Sequence, residues 1–338
     1  MNNDKVLVMG ASGFLGSHVV KALAEQKRDI RIFTRDTSDI STINHLDFEH
    51  VYGDVRDKNS IERALQGCSV VYYCVVDTRA WTRNIHPLQE INILGLRNTL
   101  EACMAAQVNR FVYTSTFMTI GLNPSGIASE KDEFNWYAEA PAYVKVRVDA
   151  EKLFMDYCRK GLPGVACNVG MTFGADDNLP TPHGMVLGLV VLGRFPFYWD
   201  ASFSSVGIKD AADAMLLAEK YGRIGERYLI TEKLLHLKDL FQIGLDSIGS
   251  KKHLFKMPIW LMYVSCSLFQ TITWFTGRDT RFSYTSLRLS RKTKDFDNSK
   301  ALKELKWKPS PAEEAVAEAA QWFVSDDSSC LKLSLKDF

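Results

Sequence analysis

In the stretch "PAYVKVRVDAEKLF", Tyr143 and Arg147 are four residues apart. At helical spacing their side chains share one face. A tyrosine beside a fixed cation suits carbonyl–alcohol chemistry. Hydride reaches a carbonyl carbon, charge develops on the oxygen, and a positioned hydroxyl supplies the proton. A free tyrosine titrates near pH ~10, and a neighbouring cation favours its phenolate. The usual cation in such a pair is lysine. Arginine carries the charge and several donors, but its planar fork has a different reach and it releases no proton into a relay. Lys145 is no substitute, because two residues from Tyr143 it points to the opposite side of the helix. Two readings stay open: an enzyme with an unusual cation, or a cofactor-binding protein without efficient turnover.

A second constellation lies at the start of the chain. In "GASGFLG", Gly10, Gly13 and Gly16 follow a strand-like run and open a helix-like one, with Ser12, Phe14 and Leu15 between them. Glycines so spaced let backbone N–H groups approach a pyrophosphate at a helix N-terminus. In this context they predict a dinucleotide site. The second strand ends "RIFTRD", with Thr34 where a ribose-binding carboxylate would stand and Arg35 after it. An arginine there pairs with a 2′-phosphate, which favours NADP(H), while Asp36 keeps NAD(H) open. In "GDVRD", Asp54 and Val55 lie at the next strand tip, where the carboxylate is placed for an adenine amino group. A helix N-cap is the plainer role, one that Asp57 or Asn59 would serve better.

The elements that position these residues alternate. Short β-branched runs ("KVLVMG", "IRIFTR", "SVVYYCVV", "RFVYTST", "GVACNVG") are interleaved with helical patterns, which predicts βαβ units in a doubly wound, Rossmann-type parallel sheet. The reading is an α/β fold: a cofactor-binding domain over 1–170 and a smaller, mostly helical substrate lobe over 171–338. Segments such as 206–222 are expected to return to the first domain.

Composition fits a folded protein. It is 46% hydrophobic, and 41 basic against 40 acidic residues leave no field to recruit nucleic acid. Seven dispersed cysteines read as reduced thiols, and no His/Cys spacing suggests a metal. With a strand starting almost at once, this points to the cytoplasm. The stretch 259–275, "IWLMYVSCSLFQTITWF", carries no charge and follows the basic "KKHLFK". It reads as a buried or substrate-covering helix, or as a peripheral membrane contact.

In order and content, "GASGFLG", "GDVRD", "NILGLRNTLEAC", "RFVYTST" and the Tyr143–Arg147 pair resemble the extended short-chain dehydrogenases/reductases, of the epimerase/dehydratase superfamily. "TRAWTRN", "PTPHG" and "FPFYWD" resemble its dihydroflavonol-reductase-like and 3β-hydroxysteroid-dehydrogenase-like branch. The resemblance implies that Thr116 hydrogen-bonds the substrate oxygen, with Ser115 as the alternative if the register slips by one. It implies that Tyr143 exchanges the proton and that Arg147 stands where the family has lysine. Val169 replaces a proline near the nicotinamide, and Asn92 and Asn98 match family asparagines read as mainly structural. Trp81, His183 and Trp199 are assigned to the substrate side, and two long helices, 87–107 and 143–160, offer a homodimer interface of the family's kind. The expected activity is NADP(H)-dependent interconversion of a ketone or aldehyde and an alcohol on a fairly apolar small molecule. The alternatives are a sugar-nucleotide epimerase or dehydratase holding NAD, and a regulatory cofactor-binding protein.

Overall fold

Seven parallel strands form the central layer. The structure, a computed structural model, describes residues 5–276 and 295–325, together with Tyr284, Leu287 and Ser290. In chain order the elements are β1 (Lys5–Met9), α1 (Phe14–Glu25), β2 (Ile30–Thr34), β3 (Glu49–Tyr52), α2 (Lys58–Leu65), β4 (Cys68–Tyr73), α3 (His86–Gln89), α4 (Leu96–Ala105), β5 (Arg110–Thr116), β6 (Ile127–Ala128), α5 (Ala142–Arg159) and β7 (Gly164–Val169). There follow β8 (Met171–Phe173), α6 (Pro182–Val191), β9 (Phe197–Tyr198), β10 (Ser202–Gly207), α7 (Ile208–Tyr221), β11 (Arg227–Ile230), β12 (Lys233–His236), α8 (Leu237–Ser247), β13 (Phe255–Lys256), α9 (Ile259–Thr276), β14 (Asp295–Phe296), α10 (Ser299–Glu304) and α11 (Ala312–Val324). The sheet order is β11-β7-β5-β4-β1-β2-β3. The order reverses between β1 and β4, which opens a crevice beyond their carboxyl ends, where ligands of doubly wound sheets bind.

Helices cover both faces, which is why the strands read as near-continuous apolar runs. On one face α1 and α7 bury Val6, Val8, Val19, Val112 and Met215. On the other, α2, α4 and α5 bury Leu7, Phe111, Tyr113 and Phe154. Each such large side chain contributes about 1.5–3 kcal/mol. The late segments α7 and β11 belong to this layered unit: α7 packs on α1, and β11 pairs with β7 at the sheet edge.

A second core gathers α6, α8 and α11 around Trp199, Phe203, Phe241 and Phe323. It is less purely helical than the sequence pattern suggests. A three-stranded sheet, β12-β10-β8, and the short pairs β13-β9 and β14-β6 contribute to it and its surroundings. Several of these strands have two or three residues, too few for an alternating pattern to register.

Candidate active site

The glycine loop is built by close backbone approach. Gly10 has φ +80°, and a Cβ there would lie 2.8 Å from the Cys74 carbonyl carbon. A Cβ on Gly16 would lie 2.2 Å from the Gly10 oxygen, so α1 can cross β1 this closely only with hydrogen at that position. Gly13 is the N-cap of α1, its cap makes no side-chain hydrogen bond, and the first turn has no acidic residue. The N-terminal N–H groups of α1 are therefore left for an external anion. Ser12 and Phe14 flank this turn, and Leu15 packs into the core beneath it. These features fit the pyrophosphate of a dinucleotide.

At the end of β2, the buried Thr34 hydroxyl is paired with His50 Nε2 at 2.9 Å. Arg35 follows it, exposed to solvent. The Asp54 carboxylate is gripped by Arg56 at 2.9 and 2.7 Å. That bonding, with the charge of Arg35 adding to it, holds the Asp54 carboxyl below its ordinary range. The sequence did not signal this grip, so an adenine amino group would have to share Asp54 with Arg56. The cap of α2 is Asp57, which accepts from Asn59 N–H at 3.0 Å. Val55 is buried, and Asn98 donates to its carbonyl at 3.1 Å, which fixes this loop from below. Asn92 exchanges two bonds with the Asp77 backbone, at 2.9 and 3.0 Å, beside a π-helical turn over Glu90–Gly95. The sequence pattern showed an unbroken helix there. Such turns recur at functional sites.

The chemical groups meet at the carboxyl end of β5. Thr116 is the last residue of that strand, and its Oγ accepts from Met118 N–H at 3.3 Å. Ser115 points the other way, into a buried cluster in which its hydroxyl donates to Glu151. This alternation of adjacent strand residues places Thr116, and not Ser115, on the open side. Tyr143 lies in the first turn of α5 and packs with Met118 against Val144 and Val148. Among the described residues, neither the Tyr143 hydroxyl nor the Thr116 hydroxyl donates a hydrogen bond.

Arg147 is only 3% exposed. It donates from Nη2 to the Thr114 carbonyl at 2.9 Å, while its Nε–H has no partner. Burial works against its charge, but Tyr113, Tyr143 and Glu151 nearby raise its affinity for the proton, so it stays cationic. Burial pushes the Tyr143 hydroxyl above its ordinary value; Arg147 pulls it down and Asp77 pushes it up. Lys145 lies on another face, over the Tyr137 ring and toward the Ala138 carbonyl.

Beneath the site is a buried polar knot that sequence reasoning missed. Glu151 accepts from Ser115, from Thr119 at 2.8 Å, from Asn168 at 2.6 Å and from Arg227 at 3.0 Å. Asn168 also donates to the Thr116 carbonyl at 3.3 Å, so the knot fixes the backbone of the site residue. Glu151 falls eight residues after Tyr143, on the Arg147 face of α5; that spacing was the available signal.

The remaining residues assigned to the substrate side are dispersed. Trp81 is half-buried in the loop between β4 and α3. His183 donates from Nε2 to the Thr172 carbonyl at 2.9 Å and lies edge-on to Phe173. Trp199 is buried in the second core, with its indole N–H on Ser290 at 3.1 Å. A cavity of about 590 Å³ lined by Arg28, Asp213, Trp307 and Lys308 shares no residue with the site. Among the described residues no cluster of His, Cys, Asp and Glu is placed to hold a metal ion, and no helix is long and apolar enough to cross a membrane. Cys330 lies outside the described residues; the six described cysteines are free thiols.

Known proteins share this architecture. The sequence model of the 3-beta hydroxysteroid dehydrogenase/isomerase family matches residues 7–159. "Sterol demethylase protein B" of Methylococcus capsulatus is 29% identical over 94% of this chain and 97% of its own length. A "putative dihydroflavonol 4-reductase" of Synechocystis is 26% identical over 95% of this chain and 94% of its own. The crystal structure of gox2253 superposes with a TM-score of 0.83 at 30% identity, covering 95% of this chain and 98% of that one.

Proposed function

The chain belongs to the extended short-chain dehydrogenase/reductase family, in its 3β-hydroxysteroid-dehydrogenase-like and dihydroflavonol-reductase-like branch, and from that premise we propose that it is an NADP(H)-dependent oxidoreductase. It interconverts a ketone or aldehyde and an alcohol on a fairly apolar small molecule. The observation that carries this reading is the pairing of two hydroxyls whose protons are uncommitted, Thr116 and Tyr143, with the buried charge of Arg147 behind the second.

When bound, the nicotinamide supplies hydride to the substrate carbon or takes it away. The chain's own residues do the rest. The Gly10–Gly16 turn and the α1 N-terminus hold the pyrophosphate, and Arg35 meets the 2′-phosphate. Thr116 and Tyr143 hold the substrate oxygen. Tyr143 gives it a proton in reduction and takes one in oxidation, and Arg147 stabilises the phenolate left between the two. Because arginine passes no proton on, the proton that Tyr143 recovers does not travel through Arg147. The half-buried Phe195, Phe197 and Tyr198 favour an apolar substrate. A sterol and a dihydroflavonol, named for two relatives, are ring compounds with oxygen on a largely apolar frame.

The test is NADPH oxidation over a panel of cyclic ketones, in wild type, Tyr143→Phe and Arg147→Lys. Turnover in wild type that Tyr143→Phe abolishes supports the reading. Tight NADPH binding without turnover, in wild type and Arg147→Lys alike, overturns it.

A further inference from the structure

Helix α9 has two unlike faces. Met262 and Cys266, one turn apart, are 1% and 0% exposed and join the second core. The opposite face leaves Trp260 64%, Val264 47% and Leu268 61% exposed, with Leu261 beside them at 37%. Positions 260, 264 and 268 form one stripe along the helix. Phe255, 58% exposed on β13, lies just before the helix in the chain. Single exposed apolar residues are ordinary, but a continuous stripe of large ones on an uncharged helix marks a contact surface.

The flank of the stripe says what it contacts. The approach to α9 reads "KKHLFKMP", and Lys251, Lys252 and His253 are exposed; Lys256, exposed as well, is ion-paired with Asp200 at 2.9 Å, so among the described residues the unpaired positive charge of this flank sits at Lys251 and Lys252. We propose that α9, with the 251–256 segment, docks this chain on the surface of an anionic lipid bilayer. Trp260 at the start of the helix suits the headgroup level, and the lysines beside it meet acidic headgroups. The helix lies in the interface plane, with its apolar stripe turned into the acyl boundary. A second copy of this chain is a poorer occupant. A two-fold contact through this face would set one lysine cluster close to the other. Met262 and Cys266 tie α9 to the core of the second lobe, so docking places that lobe against the lipid. If the proposed function holds, an apolar substrate partitioned in the bilayer then meets the side of the protein that receives it; the docking itself does not depend on that.

The test is co-sedimentation of the full chain with phosphatidylcholine vesicles and with vesicles of equal parts phosphatidylcholine and phosphatidylglycerol. Wild type pellets with the mixed vesicles and far less with the neutral ones. Lys251→Gln with Lys252→Gln weakens that binding by roughly twenty-fivefold, at about fivefold per lysine. Trp260→Ala with Leu268→Glu releases the protein, while its NADPH affinity and thermal unfolding stay unchanged. Wild type remaining in the supernatant overturns the proposal. So does mixed-vesicle binding that survives the Trp260/Leu268 change, or a dimer in sedimentation velocity that this change splits into monomers.

Discussion

Arg147 is fastened to the Thr114 carbonyl through Nη2 at 2.9 Å, and its Nε–H is left without a partner in a buried site. One end of the guanidinium thus belongs to strand β5, and its charge reaches the Tyr143 hydroxyl. A lysine offers one nitrogen where this fork offers three, so the substitution keeps the charge and adds an anchor.

The proposed role of Tyr143 needs the charge of Arg147, not the anchor. Arg147→Lys therefore keeps carbonyl reduction within about tenfold of wild type. Arg147→Met lowers kcat by about a hundredfold, because the phenolate loses its nearest cation in a poorly solvated place. Steady-state kinetics with thermal melting checks this. A methionine variant that turns over like wild type would sink the assignment of Arg147.

Tyr143→Phe removes the proposed proton donor and is expected to cost between about 10²- and 10⁴-fold in kcat, with NADPH affinity retained. The pH profile follows from the raised hydroxyl. In reduction Tyr143 must be protonated, and burial keeps it so, so kcat stays level from about pH 6 to 9. In oxidation the phenolate is needed, so the rate climbs across that range. Arg147→Met removes the influence that lowers this hydroxyl, which moves the climb to higher pH. A reduction rate that instead falls through neutral pH would place the proton elsewhere.

Arg35 is exposed at the end of β2, and the side chain at the strand tip, Thr34, is occupied with His50. Arg35→Ala should weaken NADPH by about ten- to a hundredfold, the worth of a charged hydrogen bond, and leave NADH almost unchanged. Fluorescence titration with both cofactors decides it; equal losses would remove Arg35 from the 2′-phosphate site.

The sheet was legible because its inner strands are buried on two faces and so print their pattern as near-unbroken apolar runs, as in "KVLVM" and "GVACNV". The glycine turn and the Tyr143–Arg147 pair were legible because their spacing is local. Other features depend on contacts between distant positions and left no local trace. Arg227 reaches Glu151 from 76 residues away, Trp199 reaches Ser290 across 91, and the grip of Arg56 on Asp54 depends on side-chain rotamers. The short strands of the second lobe are set by their partners, not by their own alternation.

Glu151 is 5% exposed, and Arg227 meets it as the partner cation. Glu151→Gln removes the negative charge and turns an amide donor toward Ser115, Thr119 and Asn168, which already donate there. Arg227 is left short of its counter-ion, so a stability loss of about 3 kcal/mol is expected. Asn168 also holds the Thr116 carbonyl, so kcat falls as well, while NADPH binding at the distant glycine turn persists. Urea unfolding beside kinetics would expose the error if stability held.

Two buried histidines contribute to the response to acid. Burial drives His18 and His183 down to about 4, although each donates to a backbone carbonyl, Phe14 and Thr172 respectively. In the unfolded chain each titrates near pH ~6.5. Between those values the unfolded state takes up protons that the native state refuses. Stability is therefore fully present above about pH 6.5 and is lost as pH falls toward 4, by roughly 3 kcal/mol for each histidine. His183→Gln keeps a donor for the Thr172 carbonyl and has nothing to titrate. Its urea midpoint is expected to fall less than that of wild type between about pH 7 and 4.5. Identical pH dependence in the two proteins would mean that His183 takes up its proton as readily in the native state as in the unfolded chain.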